Sequence, residues 1–469
     1  MKKDRRIWVW LSGAFMAIVL FLAFVPVSFA QGAGKNSQYG MIFDEMMRFI
    51  KTYYVEDVDE KTLFEGAMKG MFESLGDPYS VFMTEKEMED LSDTTTGQFG
   101  GVGLYISKHY GDTSFDEKHL PYVRVVAPIE DTPAYRLGIR AGDYIIKVGD
   151  KSTESMALDE VTDMLRGEPG TKVNVTFLRG DDITFTYDIT RAVIEVPTVK
   201  SDLVGKDIGY LRIIQFTPNT ADKVKEALDS FSKKRIKYLV IDLRSNPGGV
   251  LDAAVDIADF FLDDGVIVST KGKVESPSLN HVFKASKKVR LSKSIPIAVL
   301  IDKGSASASE ILSAALQDNG RAVLIGETTY GKGSVQQVHA LGRDGFKLTM
   351  SKYYTPKDVN INKVGIAPDK EVKEKELTDE EKASYKKLIE EFRVQKFVQE
   401  NPKPSDLQID TFIHGLKGEG IVLEDRIVRK LIRNELNMTN NNPPVYDMEF
   451  DIVLQEAVRM LRAGEITAK

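Results

Sequence analysis

A lysine in a glycine-rich stretch is the first residue in this sequence that could do chemistry. The segment GETTYGKGSVQQ, residues 326–337, places Lys332 between two glycines. The spacing is close to that of a nucleotide-binding loop, but Gly333 stands where such a loop needs a serine or threonine hydroxyl for magnesium. The residues that follow predict a strand, a turn and a second strand rather than a helix. A nucleotide site is therefore disfavoured, and the lysine needs another role.

A serine-rich turn supplies candidate nucleophiles. The segment GSASASE carries hydroxyls at Ser305, Ser307 and Ser309 and leads into a predicted helix. Free N–H groups at a helix N-terminus stabilise developing negative charge, but a serine stays inert until a base takes its proton. The chain has no cysteine and no visible His-Asp motif, which leaves Lys332 as the candidate base. Composition does not choose among the three serines, and S-x-x-E, Ser307 to Glu310, also fits a helix-capping box.

A lysine base has an energetic requirement. Its pKa must fall from about 10.4 by about 3 units, or ~4 kcal/mol, before it is neutral near pH 7. Burial away from water has this effect. Tyr330 and Val335 flank the lysine, and Gln336 offers a neutral amide that could orient the amine. Along a straight strand, Lys332 and Gln336 would be ~13 Å apart, so their pairing requires a bent backbone.

The segment from residue 192 to 372 is expected to position these groups. Near-continuous apolar strands alternate with helices there, which predicts a parallel sheet buried on both faces. The motifs RSNPGG, KGSASAS and ETTYGKGS each follow a predicted strand. Ligand sites of such sheets gather at the carboxyl ends of the strands. The three motifs are therefore expected to converge there.

A second module precedes this sheet, from about residue 98 to 191. Its glycine-rich turn and the block DTPAYRLGIRAGDYIIKVGD, residues 131–150, resemble a PDZ domain. PDZ domains add a peptide as an edge strand, here beside LYIS, and hold its terminal carboxylate in a nest of backbone N–H groups. The resemblance implies a peptide-binding site made of Gly101, Val102, Gly103, Leu104, Val161 and Leu165.

The N-terminus predicts export. MKKDRR is followed by 24 uncharged residues, 7–30, that end in VSFA, a pattern typical of a cleaved signal peptide or of an uncut membrane anchor. The basic residues before the apolar run agree with the positive-inside rule. We expect a periplasmic or secreted protein, tethered to the inner membrane if the leader stays.

Composition narrows the class of function. With 42% apolar residues, 28% charged residues and a net charge of −7, the chain lacks the basic surface of nucleic-acid-binding proteins. Five scattered histidines show no metal-ligand spacing, so neither a metal nor a cofactor is expected. Helical segments at both ends are interpreted as covering or assembly elements, through which a homo-oligomer could form.

Residues 40–375 closely resemble the carboxyl-terminal processing (tail-specific) proteases. The shared motifs are DPYS, the PDZ block, DLRSNPGG, DKGSASASEI, GRAVLIGETTYGKGSVQQ and GIAPD. The resemblance implies that Ser307 is the nucleophile, Lys332 the general base and Gln336 its support. It also implies an oxyanion hole made of the N–H of Ala308 with that of Gly248 or Gly249. The expected function is that of a serine endopeptidase cleaving proteins whose C-terminal tails, expected to be apolar, bind the PDZ domain.

The expected architecture is an α/β protease core, similar to the crotonase and ClpP folds, with an inserted mainly-β PDZ domain and helical ends. The expected boundaries are 1–30 for the leader, 31–96 for the N-terminal helical region, 97–191 for the PDZ domain, 192–375 for the core and 376–469 for the C-terminal helical region.

Three alternatives were weighed against this interpretation. An inactive PDZ scaffold is disfavoured by the intact Ser307, Lys332 and Gln336, and a carrier of small apolar molecules by the peptide-binding module. The α/β pattern excludes a chymotrypsin-like PDZ protease. Arg166, at the end of the PDZ helix, is a candidate sensor of bound ligand or simply a solvated surface arginine.

Overall fold

A computed structural model describes residues 38–108, 121–129, 132–140, 142–179, 183–287, 289–439 and 444–468. The predicted leader, with its apolar run 7–30, lies outside these ranges. Within them, no helix combines the length and the apolar character needed to cross a membrane.

The N-terminal region is helical, as the sequence predicts. Its elements are helices α1 (Gln38–Tyr53), α2 (Glu60–Glu73) and α3 (Glu85–Thr96), with a short strand β1 (Val81–Met83) before α3. The side chain of Asp59 caps α2 by accepting from the Thr62 N–H. Strand β1 pairs antiparallel with the strand Asp344–Tyr354, which attaches this region to the catalytic body. Helix α1 exposes Tyr39, Phe49 and Tyr53, and the homo-oligomer stays a prediction.

The second module is mainly β, and its larger sheet has an edge strand that, among the described residues, pairs on one side only. Its elements are β2 (Gln98–Gly101), β3 (Leu104–Ser107), β4 (Val123–Pro128), α4 (Pro133–Arg136), β5 (Tyr144–Val148), β6 (Lys151–Ser152), α5 (Leu158–Leu165), β7 (Lys172–Arg179), β8 (Ile183–Thr190) and β9 (Ala192–Glu195). The strand order β3-β4-β5-β7-β8 leaves β3, the predicted peptide-binding strand, at an edge. Strands β2 and β9 pair with each other where the chain enters and leaves the module.

The core contains the predicted parallel sheet. Its elements are β10 (Val199–Val204), β11 (Ile208–Ile213), α6 (Thr220–Lys234), β12 (Tyr238–Asp242), α7 (Leu251–Asp259), β13 (Val266–Gly272), β14 (His281–Lys284), β15 (Ile297–Ile301), α8 (Ala308–Asp318), β16 (Val323–Gly326), β17 (Ser334–Leu341), β18 (Asp344–Tyr354) and β19 (Lys370–Glu371).

Two sheets of this core carry the site. One has the order β10-β11-β12-β15-β16-β19 and is parallel from β11 to β19. Helices α6, α7 and α8 contribute to the large apolar core that covers one of its faces. The other sheet has the order β1-β18-β13-β14, with β17 beside β18. The serine turn follows β15 in the first sheet, and the lysine loop links the two sheets because it runs from β16 to β17. The predicted α/β class is confirmed.

The C-terminal region is more than a cover. Its helices are α9 (Asp379–Glu390), α10 (Arg393–Glu400), α11 (Asp406–Gly418), α12 (Asp425–Thr439) and α13 (Ile452–Arg462). Helices α9 to α12 contribute to a core of their own, which includes Phe397, Ile413 and Ile432. Helix α13 packs Leu454 and Leu461 against the second face of the parallel sheet. Helix α13 therefore completes the sandwich on this side of the sheet.

Candidate active site

The three serines of the turn occupy different environments. Ser305 and Ser309 are fully buried, and their hydroxyls donate to the carbonyls of Leu243 at 2.8 Å and Asn246 at 3.0 Å. Ser307 is half-buried and has a φ of +55°, a left-handed conformation that costs a non-glycine residue about 1–3 kcal/mol and recurs at functional sites. Its side chain does not cap α8; the N–H of Glu310 donates instead to the backbone oxygen of Ser307. The structure therefore leaves the middle hydroxyl for chemistry.

The double glycine lies against this serine. A Cβ placed on Gly248 would stand 2.7 Å from the Cβ of Ser307 and 2.9 Å from the nitrogen of Ala308, so only glycine fits. The Gly248 N–H donates to Asn246 Oδ1 at 2.9 Å. In the part of the chain that the structure describes, the N–H groups of Ala308 and Gly249 donate to no other protein atom. Of the two glycines, Gly249 is thus the one whose N–H has no protein acceptor among the described residues.

The lysine loop depends on its glycines for packing. A Cβ on Gly331 would approach the nitrogens of Val364 and Gly365 to 2.9 Å, and one on Gly333 would reach the nitrogen of Asn362 at 2.6 Å. These contacts fix the backbone on both sides of Lys332.

On balance, the surroundings of Lys332 lower the pKa of its amine. Burial lowers the pKa of its amine, and the neighbouring Lys347 acts in the same direction, whereas Glu310 and Asp77 oppose them. The amine lies 4.8 Å from the centroid of the Tyr79 ring, a contact that favours the charged form. Among the described hydrogen bonds, none joins Lys332 Nζ to Ser307 Oγ. Catalytic contacts are often long before substrate binds.

Gln336 does not pair with Lys332 in this structure. It lies on β17, where the register shifts between Val335 and Gln336, so the predicted bend is present as a bulge. The amide of Gln336 donates to Ser334 Oγ at 2.9 Å and to Thr349 Oγ1 at 3.1 Å. The sequence-based expectation of a direct contact is therefore not met in this conformation, in which the amide N–H groups of Gln336 donate to strand neighbours instead.

A buried carboxylate that the sequence analysis considered only as a cap joins the two halves of the site. Glu310 is fully buried, and its Oε2 accepts from the backbone N–H of Ser307 at 2.8 Å and of Lys332 at 2.9 Å. Its Oε1 accepts from the Gly331 N–H at 2.7 Å and the Thr329 hydroxyl at 2.6 Å. One carboxylate thus holds the serine turn against the lysine loop. The S-x-x-E spacing was the feature of the sequence that could have indicated this role of Glu310.

Tyrosines from two distant segments complete the surroundings. The Tyr353 hydroxyl donates to the backbone oxygens of Ser307, at 3.3 Å, and of Lys332, and burial raises its pKa well above the ordinary value. Tyr79 belongs to DPYS, where Asp77 accepts from the Tyr79 N–H at 3.1 Å and from the Ser80 hydroxyl at 2.6 Å. This turn places the Tyr79 ring over the lysine. DPYS was identified from the sequence as a shared motif, but the contact of Tyr79 with Lys332 was not predicted.

The predicted peptide groove needs one correction. Val161 is completely buried and Leu165 is 5% exposed, and both belong to the core of the PDZ-like module. Neither side chain offers surface to a ligand, because α5 turns them inward. Leu158, at the start of α5, is half-buried and packs against the same core. Leu104 is half-buried on the edge strand and Val102 is buried. Gly103 has a φ of +83°, and a Cβ there would lie 2.2 Å from the Thr132 side chain; together with Gly101 it forms the predicted glycine turn.

Arg166 contacts the N-terminal region. Its guanidinium lies 3.3 Å from Asp90 and 3.5 Å from Asp93, both on α3. It also lies 5.0 Å from the centroid of the Phe99 ring. Arg166 is thus a partly exposed arginine that forms ion pairs with α3, and its role as a sensor stays a prediction. As for metals, no cluster of ligating side chains suited to a metal ion occurs among the residues that the structure describes.

Comparison with known proteins places the chain in a family. Residues 207–372 match the model of peptidase family S41, residues 124–179 a PDZ domain and residues 33–87 the N-terminal domain of the activating protease CtpB. The carboxy-terminal-processing protease of Bartonella bacilliformis is 39% identical over 375 residues, which cover 78% of this chain and 82% of that protein. CtpA of Bacillus subtilis is 36% identical over 72% of this chain and 69% of its own length.

One solved structure is also similar to this chain. The photosystem II D1 C-terminal processing protease is 28% identical, with 72% of this chain and 94% of that one covered, at a TM-score of 0.42. The predicted family is confirmed by the sequence relatives alone. The chain belongs to the carboxy-terminal-processing proteases of peptidase family S41, and it is a serine-type peptidase.

Proposed function

We propose that this peptidase uses a dyad of Ser307 and Lys332 to cleave proteins held by their C-terminal tails. The observation that carries the proposal is the shared carboxylate oxygen of Glu310, which binds the backbone of both residues. Ser307 also has the partly accessible hydroxyl of the turn, at the start of a helix and beside the glycine loop. A nucleophile, a base of lowered pKa and free N–H groups are the parts that acyl transfer needs.

The chemistry proceeds in two acyl-transfer steps. Lys332, neutral, leaves the Tyr79 ring and takes the proton of Ser307, while the serine oxygen attacks the peptide carbonyl. The N–H groups of Ala308 and Gly249 stabilise the resulting oxyanion, and Gly248 can contribute once it releases Asn246. The lysine then protonates the leaving amine, and water, activated by the same base, hydrolyses the acyl-enzyme. Gln336 is the amide that orients the amine when Lys332 turns from Tyr79.

Substrate selection is assigned to the PDZ domain. The free edge of β3 can pair with an extended peptide, and the glycine turn from Gly101 to Leu104 can hold the terminal carboxylate. Leu104 and Leu158 favour an apolar tail. The basic start and the uncharged run 7–30 support export, with residues 7–30 as the inner-membrane tether if they are not removed.

The experiment compares two tails on one unfolded reporter protein. We expect fast cleavage of the reporter that ends in an apolar sequence and at least about tenfold slower cleavage when its last residues are aspartates, because an apolar groove rejects charge. A fluorophosphonate probe followed by peptide mapping should label Ser307 and spare Ser305 and Ser309. Labelling of either neighbour would refute the assigned nucleophile. Tail binding without any cleavage would instead favour the inactive scaffold.

Arg166 is proposed to report whether the PDZ groove is occupied, because it joins the end of α5 to α3. Arg166→Ala should cleave the apolar-tailed reporter several-fold more slowly than the native chain, at the pairing energies typical of half-exposed ions. Lys86→Ala, which removes the exposed pair of Lys86 with Asp163 between the same two helices, is the matched control and should change little. A native rate for Arg166→Ala would end the sensor proposal.

A further inference from the structure

A partly buried ionic cluster lies at the end of β12, outside the dyad. The guanidinium of Arg244 binds Asp242 through Nε and Nη2 at 2.9 and 2.6 Å. It binds Asp451 through Nη1 and Nη2 at 2.7 and 2.6 Å. Tyr210 donates its hydroxyl to Asp242 at 2.6 Å. Burial alone would raise the pKa of Asp242, but Arg244 holds it below its ordinary value.

The place of Arg244 in the chain gives this cluster its significance. Arg244 is the first residue of RSNPGG, the segment that ends in Gly248 and Gly249. The middle of the segment is held by the serine turn: the backbone oxygen of Asn246 accepts from the Ala306 N–H at 3.0 Å and from the Ser309 hydroxyl at 3.0 Å. Arg244, at the beginning of the segment, binds Asp451. Asp451 precedes α13 and lies outside residues 207–372, which match the model of family S41.

We propose that Asp451 is a positioning residue. Through Asp451, the C-terminal helix α13 holds the oxyanion loop, residues 244–249, in its position beside Ser307. The inference rests on the proposed function of that loop. The bidentate pair fixes both the position and the orientation of the Arg244 guanidinium, as the planar fork of arginine permits. Asp242 accepts from the Arg244 backbone N–H at 3.0 Å and holds the same guanidinium from inside the core, so Arg244 connects the start of the loop to Asp451. The C-terminal region thereby acts on turnover and not only on assembly.

One substitution separates this role from helix stability. Asp451 also caps α13, because its side chain accepts from the Leu454 N–H at 3.0 Å. Asparagine is an equally good N-cap, so Asp451→Asn keeps the cap and loses the charged, bidentate partner of Arg244. The matched control is Glu449→Gln. Glu449 lies two residues before Asp451, and its substitution breaks an exposed ion pair with Arg433.

The test measures kcat and KM per active site titrated with the serine probe. We expect Asp451→Asn to lower kcat about tenfold or more with KM within about twofold, since small displacements of catalytic groups are costly. A peptide aldehyde, whose adduct oxygen would occupy the oxyanion site, should lose affinity by a similar factor. Glu449→Gln should match the native enzyme. Arg244→Lys, which keeps the charge without the fork, should be impaired as well, and it carries the test if Asp451→Asn does not fold.

The outcomes distinguish this inference from the function on which it depends. Cleavage by the native chain and labelling of Ser307 test the dyad by themselves. With both observed, a native kcat and native aldehyde affinity in Asp451→Asn overturn the positioning role. Equal losses in Asp451→Asn and Glu449→Gln overturn it too, because they would show a general effect of the C-terminal region.

Discussion

Lys332→Ala should lower kcat/KM by at least about 1000-fold, within the range for loss of a general base. Lys332→Arg should be as inactive. Arginine retains a positive charge that can lie over the Tyr79 ring, but its guanidinium does not lose a proton in the accessible pH range. An electrostatic role for the lysine would survive this change, whereas a base would not. Measurement of tail-dependent reporter cleavage by the two variants therefore separates the two roles, and substantial activity in Lys332→Arg would exclude the base.

The pH profile provides the second part of this test. A lysine acts as a base only when neutral, so kcat/KM should rise with pH through the pKa of Lys332, which lies below the ordinary value of 10.5. Lys347 lowers this pKa by repelling the protonated amine. Removing that charge in Lys347→Met should raise the pKa of Lys332 and move the rising limb to higher pH. A limb that stays in place, or moves to lower pH, would contradict the assignment.

The serine variant closes the argument for the dyad. Ser307→Ala should lose about 10⁴-fold or more in kcat/KM, and the double variant with Lys332→Ala should be no worse, because residues that act as a unit are strongly non-additive. Ser305→Ala and Ser309→Ala are not clean controls for activity: their hydroxyls hold the loop through Leu243 and Asn246. The informative comparison is therefore probe labelling, which marks the reactive oxygen directly.

The sequence predicted most of the fold because its signals are local. Apolar strands such as Ile297–Ile301 are buried at every position, and this forces helices onto both faces of the sheet. The glycines around Lys332 likewise carried information, since each marks a close backbone approach. The motif RSNPGG was placed correctly at a strand end for the same reason. A local pattern suffices where the physical constraint is local.

The remaining parts of the site depend on contacts between distant segments. Tyr79 reaches Lys332 only because β1 pairs with β18, and nothing around DPYS reveals that pairing. The groove prediction was wrong at Val161 since a helix pattern gives an apolar face without saying whether that face meets a ligand or the domain's own sheet. The C-terminal helices could be interpreted only as covering or assembly elements for a related reason: the apolar stripe of α13 does not say which surface it meets, and in the structure that surface is a face of the parallel sheet.

The buried carboxylate of Glu310 gives the second large prediction. Each of its two oxygens accepts two hydrogen bonds at 2.6 to 2.9 Å. The four donors belong to Ser307, Thr329, Gly331 and Lys332. In Glu310→Gln one oxygen becomes an NH₂ group, which cannot accept, so two donors on one side lose their partner whichever way the amide turns. An unsatisfied buried donor costs about 1–3 kcal/mol, and the least costly response is separation of the serine turn from the lysine loop. We expect kcat to fall about 100-fold or more, since a displacement near 1 Å has effects of this size.

A pH measurement distinguishes this effect from simple destabilisation. Glu310 raises the pKa of Lys332, so its neutralisation should shift the rising limb of kcat/KM to lower pH even as the maximum falls. Unfolding alone would reduce the titratable active sites and leave the limb where it is. The matched control is Glu327→Gln. Glu327 is the first residue of the same loop, and its carboxylate pairs with the exposed Lys303 at 3.3 Å. If Glu310→Gln retains native turnover per titrated site, the carboxylate does not hold the dyad together; if the limb moves to higher pH, its field at Lys332 has the opposite sign from the one inferred.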